Sequence, residues 1–270
     1  MSSPFSFLSL PTHPPKPRNV GLFIPGDSGL PLRLQKDFLE ENHDLVDYVK
    51  FTGHGRLLSR HPRNWFERKI AHYSKYRIGA FPGGIAFEVA LLQGRTKEFF
   101  HTLKELGFMG VEISEDVIPP MPAAARRDTI GEATTAGLTV FTEVGRKFPE
   151  EPLNLETLVQ LIRADLDSGA FRVTIERSEI VALRDSNPQL LVDTANAAGF
   201  ENLIFESHLP GPELMVWLIQ TLGPEVNLMG HMEYCGVAHD CRLGMHRSVG
   251  YSFLTRKAGK IQPHKQEESL

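Results

Sequence analysis

The sequence predicts a single (β/α)8 (TIM) barrel from three observations: its length, the even return of short strand-like runs, and the glycines that close the helical segments between them. Its 270 residues, 41% of them hydrophobic, supply one large core of the size such a barrel needs. Eight β-branched or aromatic runs end near Gly26, Phe51, Phe81, Ser114, Gly145, Arg177, Ser207 and Gly230, spaced by about 23 to 33 residues, one βα unit each. Between the runs, apolar residues recur at spacings of three and four, as in Leu155, Leu158, Val159, Ile162 and Leu166. Gly107, Gly137, Gly169 and Gly199 each follow such a segment, where a helix C-terminus favours glycine. An open doubly wound sheet is the competing architecture. It usually carries a Gly-rich fingerprint after its first strand, and here that turn holds only a loose Gly26-Asp27-Ser28-Gly29.

The barrel is expected over residues 19–255. Residues 1–18 hold five prolines and lack the apolar stretch of a signal peptide or membrane helix, so they are expected to form an arm. Residues 256–270 contain almost no large apolar side chain, the composition of a flexible tail. The net charge is −4 and the pI about 6.3, with the 29 Lys and Arg spread along the chain. That pattern points away from nucleic acid and membranes and towards a small-molecule partner. Two cysteines, Cys235 and Cys241, suit a reduced, cytoplasmic chain better than a disulfide framework. Together with His239 and His246 they match no standard zinc spacing. The alternating charges of residues 68–77 and the pair Arg126 and Arg127 are expected on solvated outer helices, through which such barrels often form homo-oligomers.

Function in a barrel of this kind sits at the C-terminal ends of the strands. There the sequence places Lys50 on strand two, Glu112 on strand four, Glu143 on strand five with Lys147 beyond it, Glu176 with Arg177 on strand six, and Glu206 on strand seven. One glutamate in such a place is ordinarily salt-bridged or solvated. Four in equivalent places form a site, and grouped carboxylates need protons, basic partners or a hard divalent cation such as Mg²⁺. Glu112, Glu143 and Glu176 are the expected metal ligands. After strand three, Pro82-Gly83-Gly84 opens a helix and offers Gly83 and Gly84 as a backbone anion cradle. Glu88, one turn further, either complements the helix dipole or takes part in catalysis.

FPGGIAFEVA at 81–90, ELGFMGVEIS at 105–114 and TEVGRK at 142–147 resemble motifs of the phosphosulfolactate synthase family. KPRNVGL at 16–22, DYVKF at 47–51, IFES at 204–207 and GPEVNL at 223–228 do so as well, in the same order along the chain. The resemblance implies a (β/α)8 barrel and a Mg²⁺-dependent addition of sulfite to phosphoenolpyruvate. It implies site roles for Lys50, Glu112, Glu143, Lys147, Glu176, Arg177 and Glu206, with Asp27 and Asn227 on the substrate.

The sequence departs from the family in the loops that would read substrate. The family's Asp-Lys-Gly after strand one is Asp27-Ser28-Gly29, its Gly-Trp-Gly-Thr after strand two is Thr52-Gly53-His54-Gly55, and its Arg-Glu-Ser-Gly after strand six is Arg177-Ser178-Glu179-Ile180. Three departures introduce histidine at the mouth: His54, His208 and His231. These are expected to supply general acid and base, or to join the glutamates on a metal. Three readings follow. One is the family's own lyase reaction. Another is a diverged enzyme, for instance of secondary metabolism, that uses enolate stabilisation for conjugate addition, cyclisation or isomerisation of another small molecule. The last is a non-catalytic, stress-associated barrel, against which the retained lysines and glutamates count.

Overall fold

The structure, a computed structural model, describes residues 4–258. Eight strands alternate with helices: β1 (Phe23–Asp27), β2 (Tyr48–Phe51), β3 (Gly79–Pro82), β4 (Gly110–Ile113), β5 (Thr139–Val144), β6 (Arg172–Ile175), β7 (Leu203–Glu206) and β8 (Leu228–His231). The helices are α1 (Leu32–Asn42), α2 (His54–Ser59), α3 (Arg63–Lys75), α4 (Gly84–Leu92), α5 (Thr96–Leu106), α6 (Ala123–Thr135), α7 (Leu155–Asp167), α8 (Arg177–Ser186), α9 (Pro188–Ala198), α10 (Glu213–Leu222), α11 (Cys235–Arg242) and α12 (Ser252–Ala258). All strand pairs are parallel, in the order β3-β2-β1-β8-β7-β6-β5-β4. The two ends of that ladder meet where the Met109 N–H donates to the Ala80 carbonyl at 2.9 Å, so the sheet is nearly closed into a barrel. On the other side of β4, Gly110 permits the close approach of β5, because a Cβ on it would stand 2.4 Å from the Thr139 carbonyl oxygen.

The register determines what faces the barrel axis. Ile24, Phe81, Phe141, Ile204 and Met229 fill its interior, with Phe81 and Phe141 stacked at 4.2 Å. Side chains alternate along a strand, so the next inward position towards the mouth falls on Gly26, Gly83, Glu143, Glu206 and His231. Lys50 pairs with Gly26, and Glu112 pairs with Phe141, so both also turn inward. A second core, between strands and helices, includes Leu39, Ile70, Phe100, Leu158 and Leu218. Gly107, Gly137, Gly169 and Gly199 all have positive φ at helix ends, which explains their spacing in the sequence.

At the opposite end of the barrel, Lys16 of the N-terminal arm donates to the carbonyls of His43, Val46 and Tyr76, and Arg18 pairs with Asp47 at 2.8 Å. Asn227 belongs to that end too, which corrects its expected place on the substrate. Its Oδ1 accepts the Leu22 N–H at 3.0 Å and its Nδ2 donates to the Leu203 carbonyl at 2.9 Å, tying β1, β7 and β8 together. The expected tail begins inside α12, and residues 259–270 lie outside the described residues.

Two expected solvated faces prove partly buried. Lys69 of α3 is fully buried, with its ammonium 2.6 Å from Asp27. Arg126 of α6 is buried and pairs through Nε and Nη2 with both oxygens of Asp165, each at 2.7 Å, while Nη2 also donates to the Glu143 carbonyl. In both cases a helix on the outside of the barrel sends one long basic side chain inward to a carboxylate on another element. Helical periodicity does not reveal such a pairing. Cys235 and Cys241 lie buried on α11 as free thiols.

Candidate active site

The mouth gathers Lys50, Glu112, Asp116, Glu143, Lys147, Glu176 and Glu206. Lys50 Nζ lies 2.8 Å from Glu112 and 3.3 Å from Glu143. Lys147 Nζ lies 2.9 Å from Asp116, 3.1 Å from Glu176 and 3.8 Å from Glu143. Five buried carboxylates thus face two ammonium groups. The imbalance shows in the oxygens: among the described residues, Glu112 Oε1, Asp116 Oδ1, Glu143 Oε1 and Glu206 Oε2 are buried and find no hydrogen-bond donor. Acceptors in that state are costly unless protons or a cation are shared among them.

The electrostatics follow from this crowding. Burial pushes Glu176 up to about 9, helped by the charges of Glu206 and Glu143. Burial also raises Glu143 well above the usual carboxylate range, against the pull of Lys50, and raises Asp116. Glu206 goes the other way: burial would lift it, but Lys50 and a hydrogen bond from His208 hold it well below its ordinary value. Burial would lower both lysines. Glu112 and Glu143 keep Lys50 well above its ordinary value, and Glu143, Glu206 and Asp116 do the same for Lys147.

Asp116 was not among the expected ligands, yet it joins Glu143 and Glu176 in a group whose carboxylate oxygens lie within 4.8 Å of one another. Glu112 lies outside that group: its Oε2 is held by Lys50 and by the Gly84 N–H at 2.7 Å, while its Oε1 is buried without a donor. Strand alternation does not forecast the direction of a loop residue such as Asp116. Glu88 sets it, accepting the Asp116 N–H at 2.7 Å, the Val117 N–H at 3.3 Å and the Ser114 hydroxyl at 2.6 Å. Glu88 is therefore a loop clamp. The donor set is all oxygen, buried and short of hydrogen-bond donors, which fits a hard divalent cation.

Asp27, Gly83 and Gly84, expected on the substrate, and Arg177, expected to be catalytic, all bond within the protein. Asp27 is filled by Lys69 at 2.6 Å, the Tyr73 hydroxyl at 2.7 Å and the N–H groups of Gly29 and Leu30 at 2.8 and 2.7 Å. The Gly83 N–H donates to the Phe51 carbonyl, and the Gly84 N–H serves Glu112, so the expected anion cradle is occupied from within. Arg177 begins α8 and donates to the His208 carbonyl at 2.9 Å.

All three histidines border the mouth. His208 Nδ1 lies 3.0 Å from Glu206 Oε1, and its ring meets His231 edge-on at 4.9 Å. His231 is lowered by burial and by His208. His54, at the start of α2, is lowered to about 4 by burial, with Lys50 and Lys147 adding repulsion. An unfolded chain protonates the same ring near 6.5. The stabilisation tied to neutral His54 is therefore complete above about 6.5 and is lost as pH falls towards 4. Melting curves across that window should show wild type losing stability on acidification more steeply than His54→Asn; equal slopes would remove His54 from the account.

The fold and this mouth define a lyase-type (β/α)8-barrel enzyme. The family described as (2R)-phospho-3-sulfolactate synthase (ComA) matches residues 11–245. The chain is 32% identical over 233 residues to the phosphosulfolactate synthase of Methanothermobacter thermautotrophicus, covering 83% of this chain and 88% of that one. It is 34% identical over 218 residues to that of Methanocaldococcus jannaschii (77% and 84% covered) and 31% identical over 230 residues to that of Bacillus subtilis (82% and 88%). The chain belongs to the phosphosulfolactate synthase family. Among solved structures, the fold is shared with dihydrodipicolinate synthase from Cyanidioschyzon merolae with lysine bound, at a TM-score of 0.54 and 12% identity over 90% of this chain and 85% of that one. It is also shared with a phosphonopyruvate hydrolase complexed with oxalate and Mg²⁺, at 0.51 and 12% over 92% and 87%. Among the described residues, no helix is long and apolar enough to cross a membrane.

Proposed function

We propose that the chain is a diverged member of its family that stabilises an enolate-type intermediate of a small molecule, in a conjugate addition, cyclisation or isomerisation. The observation that carries this reading is the convergence of five buried carboxylates on Lys50 and Lys147 at one barrel mouth. Asp116, Glu143 and Glu176 would hold Mg²⁺. When bound, the ion supplies electrostatic stabilisation of charge developing on a substrate oxygen. Lys50, buried between Glu112 and Glu143, bridges those carboxylates and holds them in place. Lys147 is the more exposed of the two lysines, at 28% against 6%, and presents its ammonium towards the opening, where it orients and stabilises an anionic oxygen.

Divergence from the relatives' own reaction is supported by the loops after strands one, two and six. Ser28 stands where the family pattern carries lysine, Thr52-Gly53-His54-Gly55 replaces its Gly-Trp-Gly-Thr, and the stretch after Arg177 lacks the family's glycine. Two anionic substrates, phosphoenolpyruvate and sulfite, would meet fewer donors here. The alternative reading, Mg²⁺-dependent phosphosulfolactate synthesis, is favoured by family membership over most of the chain. The deciding experiment incubates purified protein with phosphoenolpyruvate, sulfite and Mg²⁺, following enol absorbance and product mass, beside calorimetric titration of Mg²⁺. One bound Mg²⁺ per chain with no product supports divergence. Sustained turnover establishes the alternative, and absence of Mg²⁺ binding removes the cation from both.

A further inference from the structure

We infer that His208 is the base that moves the substrate proton in this enzyme, oriented by Glu206 and reaching the reacting carbon across the side-chain-free surface of Gly26. The inference rests on the enolate reading above and gives its proton-transfer step a named residue.

His208 follows Glu206 by two residues at the end of β7, where the strand gives way to a loop. Its Nδ1 lies 3.0 Å from Glu206 Oε1. A carboxylate is an acceptor only, so that contact fixes the proton on Nδ1 and leaves the lone pair on Nε2. Among the described residues, Nε2 is buried and has no hydrogen-bond partner. It points across the top of β1: a Cβ built on Gly26 would stand 3.0 Å from it. Gly26 is the inward position that pairs with Lys50 on one side and His231 on the other, so Nε2 faces the mouth itself.

The rest of the imidazole's surroundings is committed. Arg177 donates to the His208 carbonyl at 2.9 Å and pins the loop. His231 packs edge-on against the ring, and Tyr234, beside His231, accepts the Gly211 N–H at 2.9 Å to anchor the loop's far end. The side chains placed against the ring are thus Glu206 and His231, and the one open function is the Nε2 lone pair. His54 also has a buried nitrogen without a partner, Nδ1, but no carboxylate orients its ring, and the neighbouring Lys50 and Lys147 oppose its protonation. An orienting carboxylate, a fixed tautomer and a free nitrogen directed at the reacting space are what a general base requires, and of the three histidines His208 combines them.

The step balances without a co-reactant. The C–H bond next to a substrate carbonyl breaks, its electron pair forms the enolate double bond, and the carbonyl π pair moves to oxygen beside Lys147. The proton goes to Nε2, giving an imidazolium whose positive charge faces Glu206. The reverse transfer returns the proton to carbon.

Two measurements test this. In protein labelled with ¹⁵N-histidine, NMR should show that the uncharged form of His208 carries its proton on Nδ1, and Glu206→Gln should lose that tautomer preference; an uncharged form with its proton on Nε2 in wild type overturns the inference. The second follows exchange of pyruvate methyl hydrogens with deuterium in D₂O by Mg²⁺-loaded enzyme. His208→Gln should slow it at least about 100-fold, Gly26→Ala should slow it with the tautomer unchanged, and added imidazole should restore it in His208→Gly. Exchange by His208→Gln within threefold of wild type, or no exchange by wild type, overturns the inference. Mn²⁺ affinity, read by electron paramagnetic resonance, separates the two failures. Absence of exchange by metal-bound wild type sinks the enolate reading, whereas exchange that survives in metal-bound His208→Gln sinks only the role of His208.

Discussion

Glu143→Gln should weaken Mn²⁺ binding about 100-fold and lower turnover by about two to three orders of magnitude, while the melting temperature stays within a few degrees of wild type or rises. Glu143 is the carboxylate that both lysines share, 3.3 Å from Lys50 and 3.8 Å from Lys147, and it belongs to the oxygen triad with Asp116 and Glu176. Glutamine keeps its shape and removes its charge. A cation then has one fewer anionic ligand, and Lys147 one fewer counter-charge to hold it over the mouth. The fold should gain rather than suffer, because burial and the charges of Glu112, Glu206 and Asp116 all disfavour ionised Glu143 in the protein. Active sites commonly trade stability for charge in this way. Metal titration, steady-state kinetics and calorimetry on the same preparation check the three parts. Unchanged metal affinity together with unchanged turnover would remove Glu143 from the centre.

Lys69→Met should destabilise the chain by about 3–5 kcal/mol, the usual result of leaving one partner of a buried ion pair without the other. For a chain of this size that corresponds to a drop of roughly 10 °C in melting temperature. Lys69 and Asp27 are both fully buried, 2.6 Å apart, beneath the loop after β1. The same ammonium donates to the Leu30 carbonyl and stands 5.2 Å from the Trp65 ring. Burial already lowers the affinity of Lys69 for its proton, and Asp27 opposes that shift. Adding Asp27→Asn should recover part of the loss, since the amide oxygen can still accept the Gly29 and Leu30 N–H groups and the amide nitrogen can donate to the Tyr73 hydroxyl oxygen. Thermal melts of the two single variants and the double variant test this. A Lys69→Met protein as stable as wild type would mean that the pair contributes no net stability.

The loop carried by this pair is also where Ser28 stands in place of the lysine of the resembled motif, and the cation buried beside it, Lys69, comes from α3. It anchors Asp27 instead of facing substrate. The anion cradle after β3 is likewise occupied from within. Its bare N–H groups were legible in Pro82-Gly83-Gly84, whereas the fact that Phe51 and Glu112 fill them depends on where β2 and β4 lie.

The sequence by itself determined the barrel, its eight strand ends and most of the charged ring at the mouth. Strand periodicity is local: once a run alternates inward and outward, Glu112, Glu143, Glu176 and Glu206 fall on the axis side near the ends of parallel strands. Tertiary structure alone decided which charges meet. Asp116 enters the oxygen triad because Glu88, on another element, holds its loop. Lys69 and Arg126 leave solvent because Asp27 and Asp165 wait inside. Asn227 goes to the opposite end because its amide bonds the Leu22 and Leu203 backbones there. The physical reason is range: propensity and alternation act over a few residues, while the partner of a buried charge or a loop N–H is chosen by contacts between elements far apart in the chain.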